Sequence, residues 1–414
     1  MSYRITKIQD ISEESIRENA RKWLTIIRFS EYGVVIQPQD DCEYRVDQII
    51  NNPKILKEML GPYYRKYLMG YVPVDEKNLS EAIKEAVLDL AKTRNITIPK
   101  ELVTAKDVIN YIVKKGYEIG LFISRINKLL EEENYKSLLE LEYLLENTLN
   151  FSVIVFSEQD LTHPKYRTIV DKCSLLFDHI EKFPLYDEKD SRQYIKYNNS
   201  MWSMKLSADM ENRIIEECGG YLWLISDLQR YVRDNSNTPI EKAFSDETLF
   251  IKLESIFGKF SAKEQELLVK VADGLLTRTD KQTHEYRYLA EIRMIKEKEG
   301  QTFLGIPLLS RVIEKEKSMR EIVMKDGKIT ISGRDVDGFL TDREKIFIQL
   351  LLSKPHALIS RDELAKILWG DAWHESYSDW AIDKLAYRAR KKLNRLGIDE
   401  KLVKTVKRKG FIFG

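Results

Sequence analysis

The chain has 414 residues, enough for two or three domains with hydrophobic cores of their own. Lys and Arg number 67 and Asp and Glu number 66, so the net charge of +1 excludes a protein that is acidic or basic throughout. Hydrophobic residues make up 43% of the chain and charged residues 32%, which is typical of a globular protein with many exposed helices.

The cysteines, histidines and apolar runs of the chain indicate which further classes of protein to exclude. Cys42, Cys173 and Cys218 are far apart and odd in number, so they predict neither a disulfide framework nor a metal site. The five histidines form no ligand cluster, and we expect each to be isolated, either buried or on the surface. Residues 1–9 are polar, and no apolar run has the length of a membrane span. We therefore expect a cytoplasmic protein with no secretory signal, structural metal, cofactor or membrane partner.

The first predicted elements are a helix over residues 10–30, a strand over 32–36 and a helix over 46–50. A phosphate-binding loop would lie between such a strand and helix. The pattern G-x-x-x-x-G-K-[ST] places its diagnostic positions on Gln37, Cys42, Glu43 and Tyr44. None of them matches, and Glu43 would repel the phosphate that a lysine attracts. The segment is either a degenerate phosphate loop or an ordinary strand–helix connection.

Strands and helices alternate in the next hundred or so residues. Strands are predicted over 67–72, 119–123 and 151–156. Helices are predicted over 79–91 and 105–115, and a long helix runs to residue 149. Alternation at this spacing predicts a parallel α/β sheet.

This pattern resembles the core of an AAA+/STAND-type P-loop NTPase. In that family the third strand ends in acidic residues that bind Mg²⁺ and activate water, and the fourth ends in a polar sensor. Here Ser124 and Arg125 replace the acidic pair and Ser157 is at the sensor position, while Glu158 and Asp160 are expected in a surface loop. A Mg²⁺–ATP site needs carboxylate oxygen near the metal and a cation near the phosphates. The resemblance therefore implies a pseudo-NTPase rather than an enzyme.

The region after this core is predicted to be mainly helical. Residues 175–187 resemble the last strand of such a core and its exit, and residues 188–195 would begin a helical lid. Residues 214–228 are similar to the lid helix pair of STAND proteins, with its Gly-Gly turn. Helices from residue 248 onward, followed by a short strand pair, predict a first, non-basic winged helix. The charge run 314–321 is either a linker or an exposed helix tail.

The chain from residue 322 onward has the order hairpin, three helices, hairpin. The first hairpin joins residues 322–324 to 328–331 through an Asp-Gly dipeptide. Helices are predicted over 339–352, 360–369 and 379–396, and a Ser/Thr-x-x-Glu capping box opens each of the first two. The last hairpin joins residues 402–406 to 411–413 through a tip with three cations and a glycine.

The helix over residues 379–396 is amphipathic. Its apolar stripe contains Ile382, Leu385, Ala386, Ala389, Leu393 and Leu396, and the opposite stripe contains Trp380, Lys384, Tyr387, Arg388, Lys391 and Arg395. From residue 380 to 410, eleven Lys and Arg outnumber three Asp and Glu, a net charge of +8. Such a local excess is expected of a surface that binds a polyanion, although a solvated helix face explains the charges alone equally well.

Residues 322–414 resemble the winged-helix effector domain of OmpR/PhoB-type response regulators. The matching stretches are Leu340-Thr-x-x-Glu344, Ile359-Ser-Arg-Asp-Glu-Leu364, Leu368-Trp-Gly370, Arg388-x-Arg-Lys-Lys-Leu393 and Thr405-Val-Lys-Arg-Lys-Gly-Phe411. In that family the third helix enters the major groove of double-stranded DNA and the wing reaches a minor groove.

The resemblance implies roles for single residues. Bases would be read by Lys384, Tyr387 and Arg388, on the face that also carries Trp380. Phosphates would be contacted by Arg390, Lys391, Lys407, Arg408 and Lys409. Tyr387 replaces a frequent cation and Leu385 a frequently polar residue, so the docking mode is transferred and the base preference is not.

The resemblance also implies partners. The loop over residues 370–378 lies where the family contacts the transcription machinery, which makes RNA polymerase or another protein a candidate partner. Effector domains of this type bind tandem half-sites, which implies a homo-oligomer on DNA. No acidic phosphorylation pocket precedes this domain, so the input signal is not expected to be phosphotransfer.

The predicted fold class is multidomain, α/β plus α+β. We expect a degenerate AAA+/STAND-like core over residues 1–185, a helical lid over 186–240, a helical or winged-helix-like module with a linker over 241–320, and a winged-helix DNA-binding domain over 321–414. The predicted function is a sequence-specific DNA-binding transcriptional regulator controlled by a nucleotide-site-deficient N-terminal region. The alternatives are an active ATP-dependent STAND-type switch and a winged-helix scaffold for protein partners.

Overall fold

A computed structural model describes most of the chain, namely residues 9–39, 41–74, 78–130, 135–235, 239–320, 322–325, 327–331, 334–354, 357–370, 378–396, 398, 402–407 and 409–413. The chain folds into two compact units, residues 1–310 and 311–414. The four predicted domains and the boundaries between them remain predictions. Within the described ranges, no helix is both long and apolar enough to cross a membrane.

The first unit contains seven described strands and the helices that pack with them. The strands are β1 Tyr32–Ile36, β2 Tyr67–Pro73, β3 Glu118–Ser124, β4 Phe151–Ser157, β5 His179–Lys182, β6 Ile295–Lys298 and β7 Gln301–Leu304. The helices are α1 Glu13–Arg28, α2 Cys42–Ile50, α3 Pro53–Leu60, α4 Leu79–Thr93, α5 Ala105–Lys114, α6 Asn127–Leu130, α7 Lys136–Glu146, α8 Arg167–Lys172, α9 Glu188–Trp202, α10 Ala208–Cys218, α11 Leu222–Asp234, α12 Ile240–Phe244, α13 Glu247–Gly258, α14 Ala262–Ala272 and α15 His284–Glu291. Helix α16, Leu309–Arg320, follows β7 and contains most of the predicted charge run.

Strands β1 to β5 form one parallel sheet in the order β2-β3-β4-β1-β5. Every residue of β4 is buried, as expected for a parallel strand covered on both faces. Trp23 of α1 packs edge-on against Phe156 of β4, with ring centroids 5.2 Å apart. The Trp23 ring also lies 6.1 Å, centroid to centroid, from the Phe122 ring of β3. The parallel α/β core predicted from the sequence is confirmed.

The strand order brings the predicted phosphate loop and the predicted sensor together. Because β4 lies beside β1, Ile36 is paired in register with Ser157. The Gln37 N–H, one residue further along, donates to the Ser157 carbonyl at 2.9 Å. The carboxyl ends of β1, β3 and β4 therefore meet at one edge of the sheet, where ligands bind in open α/β sheets.

The predicted long helix that runs to residue 149 is wrong. The described part of that segment contains the short α6 and then α7, which ends at Glu146. Tyr135, the residue before α7, has a φ of 55°. This left-handed conformation cannot continue a right-handed helix. The sequence analysis also missed α3, which is capped by the Asn52 side chain and begins at a proline.

Two expectations about isolated side chains are also corrected. The rings of His163 and His284 are in edge-on contact, with centroids 5.5 Å apart, so these histidines are not isolated. His284 Nε2 lies 2.6 Å from Asp160 Oδ2, and the Asp160 side chain is buried rather than part of an exposed loop. Among the described residues, no group of His, Cys, Asp and Glu side chains could hold a metal ion.

The helices after the sheet include the predicted pair with a Gly-Gly turn, α10 and α11. Gly219 has a φ of +60°, and a Cβ there would lie 1.6 Å from the Gly305 carbonyl oxygen, so only glycine fits. Helices α13 to α15 are followed by the antiparallel hairpin β6–β7, which agrees with the predicted winged-helix-like module. A capping box between Ser261 and Glu264 opens α14.

After α16, most of which belongs to it, the second unit contains two three-stranded sheets and three helices among its described residues. The strands are β8 Ile322–Lys325, β9 Lys328–Ile331, β10 Arg334–Asp335, β11 Ile359–Ser360, β12 Val403–Val406 and β13 Gly410–Phe413. The helices are α17 Asp342–Ser353, α18 Arg361–Trp369 and α19 Asp379–Arg395. The sheet orders are β10-β9-β8 and β11-β13-β12. The two-residue strands β10 and β11 were not predicted, because two residues show no alternation of apolar and polar side chains.

The core of this unit is apolar and joins all three helices to the last hairpin. Phe347 of α17 packs edge-on against Phe411 of β13, with ring centroids 5.5 Å apart. The predicted capping box of α17 is present. That of α18 is only half formed, because the Glu363 carboxylate accepts from Lys354 Nζ at 2.7 Å. The predicted winged-helix order is confirmed.

Candidate functional site

Helix α19 presents the predicted face to solvent. Ser378 caps the helix by accepting a hydrogen bond from the Ala381 N–H. The buried side chains are Ile382, Leu385, Ala386, Ala389 and Leu393, which are five of the six residues of the predicted apolar stripe. On the opposite side, the exposed residues include Trp380, Lys384, Tyr387, Arg388, Lys391 and Arg395. The helical periodicity of the sequence therefore predicted correctly which face of α19 is exposed.

Two aromatic rings on this face carry a cation each. Trp380 is 69% exposed, and Lys384 Nζ lies 4.4 Å from its ring centroid. Tyr387 is 55% exposed, and Lys391 Nζ lies 4.9 Å from its ring centroid. Each ring holds its lysine in place without neutralising the charge. Within the described part of the unit, no carboxylate forms an ion pair with Lys384, Arg388 or Lys391, so their charges remain available to an anion.

Ion pairs at both ends of α19 fix the helix against its neighbours. At the start of the helix, Arg361 Nη2 donates to Asp383 Oδ1 at 2.6 Å and Nη1 reaches Asp379 Oδ1 at 3.3 Å. Further along, Lys392 Nζ lies 2.6 Å from Glu344 Oε2, in the capping box of α17. Burial opposes ionisation of Glu344, but hydrogen bonds from Lys392 and Thr341 outweigh it and lower the pKa of this carboxyl. The exposed face is thus held rigidly.

Arg390 differs from the other predicted phosphate contacts. Its Nε donates to the Val403 carbonyl at 2.7 Å and its Nη2 to Thr405 Oγ1 at 2.6 Å. The guanidinium therefore ties α19 to strand β12 of the wing. Its contact with phosphate remains a prediction, but the structure gives it a positioning role that the sequence analysis did not foresee.

The predicted wing is the β12–β13 hairpin. Lys407 and Lys409 are exposed near its tip, whereas Arg408 lies outside the described residues. A Cβ at Gly410 would lie 1.9 Å from the Ile359 carbonyl oxygen, so the glycine lets β13 approach β11. Most of the predicted protein-binding loop, residues 371–377, also lies outside the described residues.

The four degenerate phosphate-loop positions lie at the carboxyl end of β1. Gln37 follows the strand directly and is buried, and Cys42, Glu43 and Tyr44 form the first turn of α2. Cys42 Sγ lies 3.7 Å from the Tyr71 hydroxyl. Glu43 is exposed at the position where a phosphate loop has its lysine. Positions 42–44 thus lie at a helix N-terminus, as in a phosphate loop, but carry different side chains.

A buried ion-pair network lies beside these positions, and the sequence analysis missed it. Arg45 is 3% exposed and donates from Nη1 to Asp10 and from Nε to Asp41 Oδ2 at 3.1 Å. Its Nε also contacts the Tyr186 hydroxyl at 2.7 Å. Burial opposes the charge of Arg45, yet Tyr186, Asp41 and Asp10 raise its pKa well above the ordinary value. The charge of Arg45, the residue after Tyr44, is therefore paired with the protein's own carboxylates.

The ends of β3 and β4 complete this edge of the sheet. Ser124 is buried and accepts a hydrogen bond from the Tyr71 hydroxyl, and Arg125, next to it, has a φ of 61°. Ser157 Oγ lies 3.2 Å from Asn127 Oδ1. Glu158 forms an ion pair with Lys259 and accepts from Asn127. The predicted positions are brought together, but their effect on nucleotide binding is untested.

Residues 336–413 match the family model described as "Transcriptional regulatory protein, C terminal". This match begins shortly before α17 and covers the three helices α17 to α19 and both strands of the wing. No curated protein matches the chain.

Solved structures similar to the chain include three ATPase-like proteins. The Walker-type ATPase PABY2304 of Pyrococcus abyssi is 12% identical, with a TM-score of 0.48, and the match covers 76% of this chain and 99% of the ATPase. The Aeropyrum pernix ORC2 protein is 12% identical, with a TM-score of 0.40 and coverages of 76% and 98%. The Thermotoga maritima RuvB branch migration motor is 10% identical, with a TM-score of 0.32 and coverages of 73% and 96%. Similarities this low assign no function to the chain.

Proposed function

We propose that the protein is a sequence-specific DNA-binding transcriptional regulator. One observation carries the proposal: α19 presents a rigid, exposed face of cations and aromatic rings within a domain that matches the transcriptional regulatory family. Ion pairs at both ends of the helix hold that face, so little ordering is needed on binding. A helix of this kind fits the major groove, which is wide enough to admit it.

The contacts divide into two kinds. Lys384, Tyr387 and Arg388 read base edges, which supplies sequence preference. Lys391, Lys407 and Lys409 neutralise phosphates, which supplies most of the affinity and its dependence on salt. Arg390 holds the wing at the correct distance from α19, because its guanidinium bonds to β12. A homo-oligomer on tandem half-sites and a cytoplasmic location belong to the same proposal.

The first unit acts as a pseudo-NTPase that controls the DNA-binding domain. Two observations support this part of the proposal. Glu43 is placed where a phosphate loop has its lysine, and Arg45 is held by Asp10 and Asp41. A nucleotide phosphate at this helix N-terminus would meet Glu43, which repels it, and Arg45, whose charge is already paired with Asp10 and Asp41.

The test is selection of the full chain on a random-sequence duplex library, with and without Mg²⁺–ATP. The proposal predicts enrichment of one motif, whether or not nucleotide is present. Enrichment only in the presence of ATP would instead support an active ATP-dependent switch. No binding to duplex DNA even at low salt would make the domain a scaffold for proteins such as RNA polymerase.

A further inference from the structure

A cavity of about 640 Å³ lies at the carboxyl edge of the parallel sheet. Its walls come from the first turns of α2, from β2, from Arg125 after β3, and from helices α9 and α11. It therefore occupies the place where a nucleotide binds on a sheet of this kind. The side chains around it, however, are suited to a different ligand.

Five aromatic side chains line the cavity: Tyr44, Tyr71, Tyr194, Tyr197 and Trp223. Tyr194 and Tyr197 stack, with ring centroids 6.4 Å apart and an angle of 23° between the rings. Trp223 is 48% exposed, so part of its large ring is open to a ligand. Burial raises the pKa of Tyr44, Tyr71 and Tyr194, so these phenols stay neutral and their ring faces carry negative potential.

The charged groups of the lining are negative on balance. Three carboxylates, Asp41, Glu43 and Asp47, face two guanidiniums, Arg45 and Arg125, which gives a net charge of −1. Asp10, bonded to Arg45 behind the wall, brings the net charge to −2. Negative charge together with aromatic faces disfavours a phosphate and favours a cation.

The wall of the cavity already holds one cation in this way. The guanidinium carbon of Arg45 lies 5.2 Å from the ring centroid of Tyr44 and 5.2 Å from that of Tyr186. The same guanidinium bonds to two carboxylates. Rings and carboxylates at this edge therefore stabilise an organic cation in at least one position.

An independent observation points to a missing ligand. Gln39 lines the cavity and is 3% exposed, and its Oε1 accepts from the Leu222 N–H at 2.8 Å. Its Nε2 has no hydrogen-bond partner among the residues that the structure describes. Buried amide donors are nearly always paired, so a ligand that carries an acceptor would satisfy this one.

We propose that the cavity binds a small organic cation, an ammonium or guanidinium compound that also carries an uncharged hydrogen-bond acceptor. The cationic group lies among the aromatic rings and the carboxylates of α2, and the acceptor meets Gln39. The ligand would be the input signal that phosphotransfer does not supply. This inference rests on the part of the proposed function that denies the site a nucleotide.

Calorimetric titration of the full chain with choline, acetylcholine and 4-guanidinobutanamide tests the proposal, because each compound carries a cationic group and an uncharged oxygen acceptor. At least one of these cations is expected to bind saturably with one site. For choline, the neutral isostere 3,3-dimethylbutan-1-ol is the matched control, because it has the same shape and hydroxyl but no charge. No saturable binding by any of the three cations, or equal binding of choline and its isostere, would overturn the inference.

Variants then locate the site. Trp223→Ala is expected to lower the affinity for the cation that binds by about 2- to 30-fold, the range for loss of a cation–π contact. Glu43→Gln is expected to weaken it by a few fold, on the order expected for a partly exposed charge pair. Glu146→Gln removes an exposed carboxylate of α7 outside the cavity and should have no effect. Equal affinities for all three variants and the unchanged chain would contradict the assignment.

A parallel titration with Mg²⁺–ATP separates the two proposals. Failure of all cations and of ATP would overturn the cation site and leave the nucleotide-deficient regulator intact. Saturable binding of ATP would overturn the proposal that the first unit lacks a working nucleotide site. Duplex DNA binding is measured separately, because it depends on residues of the other unit.

Discussion

The sheet edge of the first unit and the exposed face of α19 in the second unit differ in what their cations contact. At the sheet edge of the first unit, Arg45 is buried and is bonded to two carboxylates and a tyrosine. On α19 of the second unit, Lys384 and Lys391 are exposed and lie against aromatic rings that leave their charge uncompensated. A charge neutralised inside the fold contributes to stability, whereas one left uncompensated at a rigid surface is available to a polyanion. The two sites therefore differ in the partners of their cations, not in the number of cations.

The largest expected effect comes from breaking the buried network. Arg45→Met leaves Asp10 and Asp41 buried without their cation, and we expect the unfolding free energy to fall by about 3–5 kcal/mol. Urea denaturation followed by circular dichroism measures the loss. Arg17→Met is the matched control, because Arg17 forms ion pairs with Glu13 and Glu58 at the surface, where such pairs contribute about 0–1 kcal/mol. Equal losses for the two variants would show that the buried network stabilises the fold no more than surface ion pairs do.

The next effect concerns base reading. Arg388→Ala is expected to reduce the preference for the selected motif over random duplex by about 1–3 kcal/mol, because a base contact contributes that much discrimination. Competition binding on the selected motif and on a scrambled duplex measures the difference. Equal losses on both duplexes would assign Arg388 to the phosphates instead.

Phosphate contacts should have a smaller and sequence-independent effect. Lys409→Ala is expected to weaken binding to all duplexes alike and to reduce the slope of log K against log salt by about 0.9, the value for one phosphate. Fluorescence anisotropy over a range of salt concentrations gives the slope. An unchanged slope would show that the wing lysine does not contact phosphate.

The smallest expected effect is the pH dependence that Glu344 contributes. Its pKa is lowered in the folded protein, so its stabilising contribution is fully present above the unfolded pKa of about 4.3 and is lost as the pH falls through the folded pKa. The unfolding free energy of the unchanged chain should therefore fall more steeply below about pH 4.3 than that of Glu344→Gln. Thermal unfolding at several pH values compares the two proteins. Parallel pH profiles would show that the ion pair with Lys392 does not hold α19.

Periodic patterns predicted much of the fold and the exposed face of α19. The 3.6-residue period placed Ile382 and Leu393 in the core and Lys384 and Arg388 outside, as the structure has them. Alternating strands and helices were sufficient to predict the parallel sheet, because β1 to β4 each carry an apolar run. Strand β5, with the sequence His-Ile-Glu-Lys, carries none. These features are local, so a short window of sequence contains the information.

The sheet edge could be predicted only in part. The sequence placed Glu43 and Tyr44 in a loop before a helix over residues 46–50, whereas α2 already begins at Cys42. Arg45 meets Asp10 and Tyr186, which are 35 and 141 positions away. His163 and His284 are likewise distant in sequence and meet only through the fold. No periodic pattern reports such contacts, because they depend on strand order. The break before α7 was missed for a different reason: its apolar pattern continues through Tyr135, whose backbone is left-handed.

The most direct test of the account is the salt dependence of duplex binding by the full chain, measured with and without Mg²⁺–ATP. The account predicts a steep slope, about −4.5 for the five predicted phosphate contacts, that nucleotide leaves unchanged. A slope near zero would show that the exposed cations of α19 and the wing do not meet DNA. A slope or affinity that changes with ATP would show that the sheet edge of the first unit still binds nucleotide.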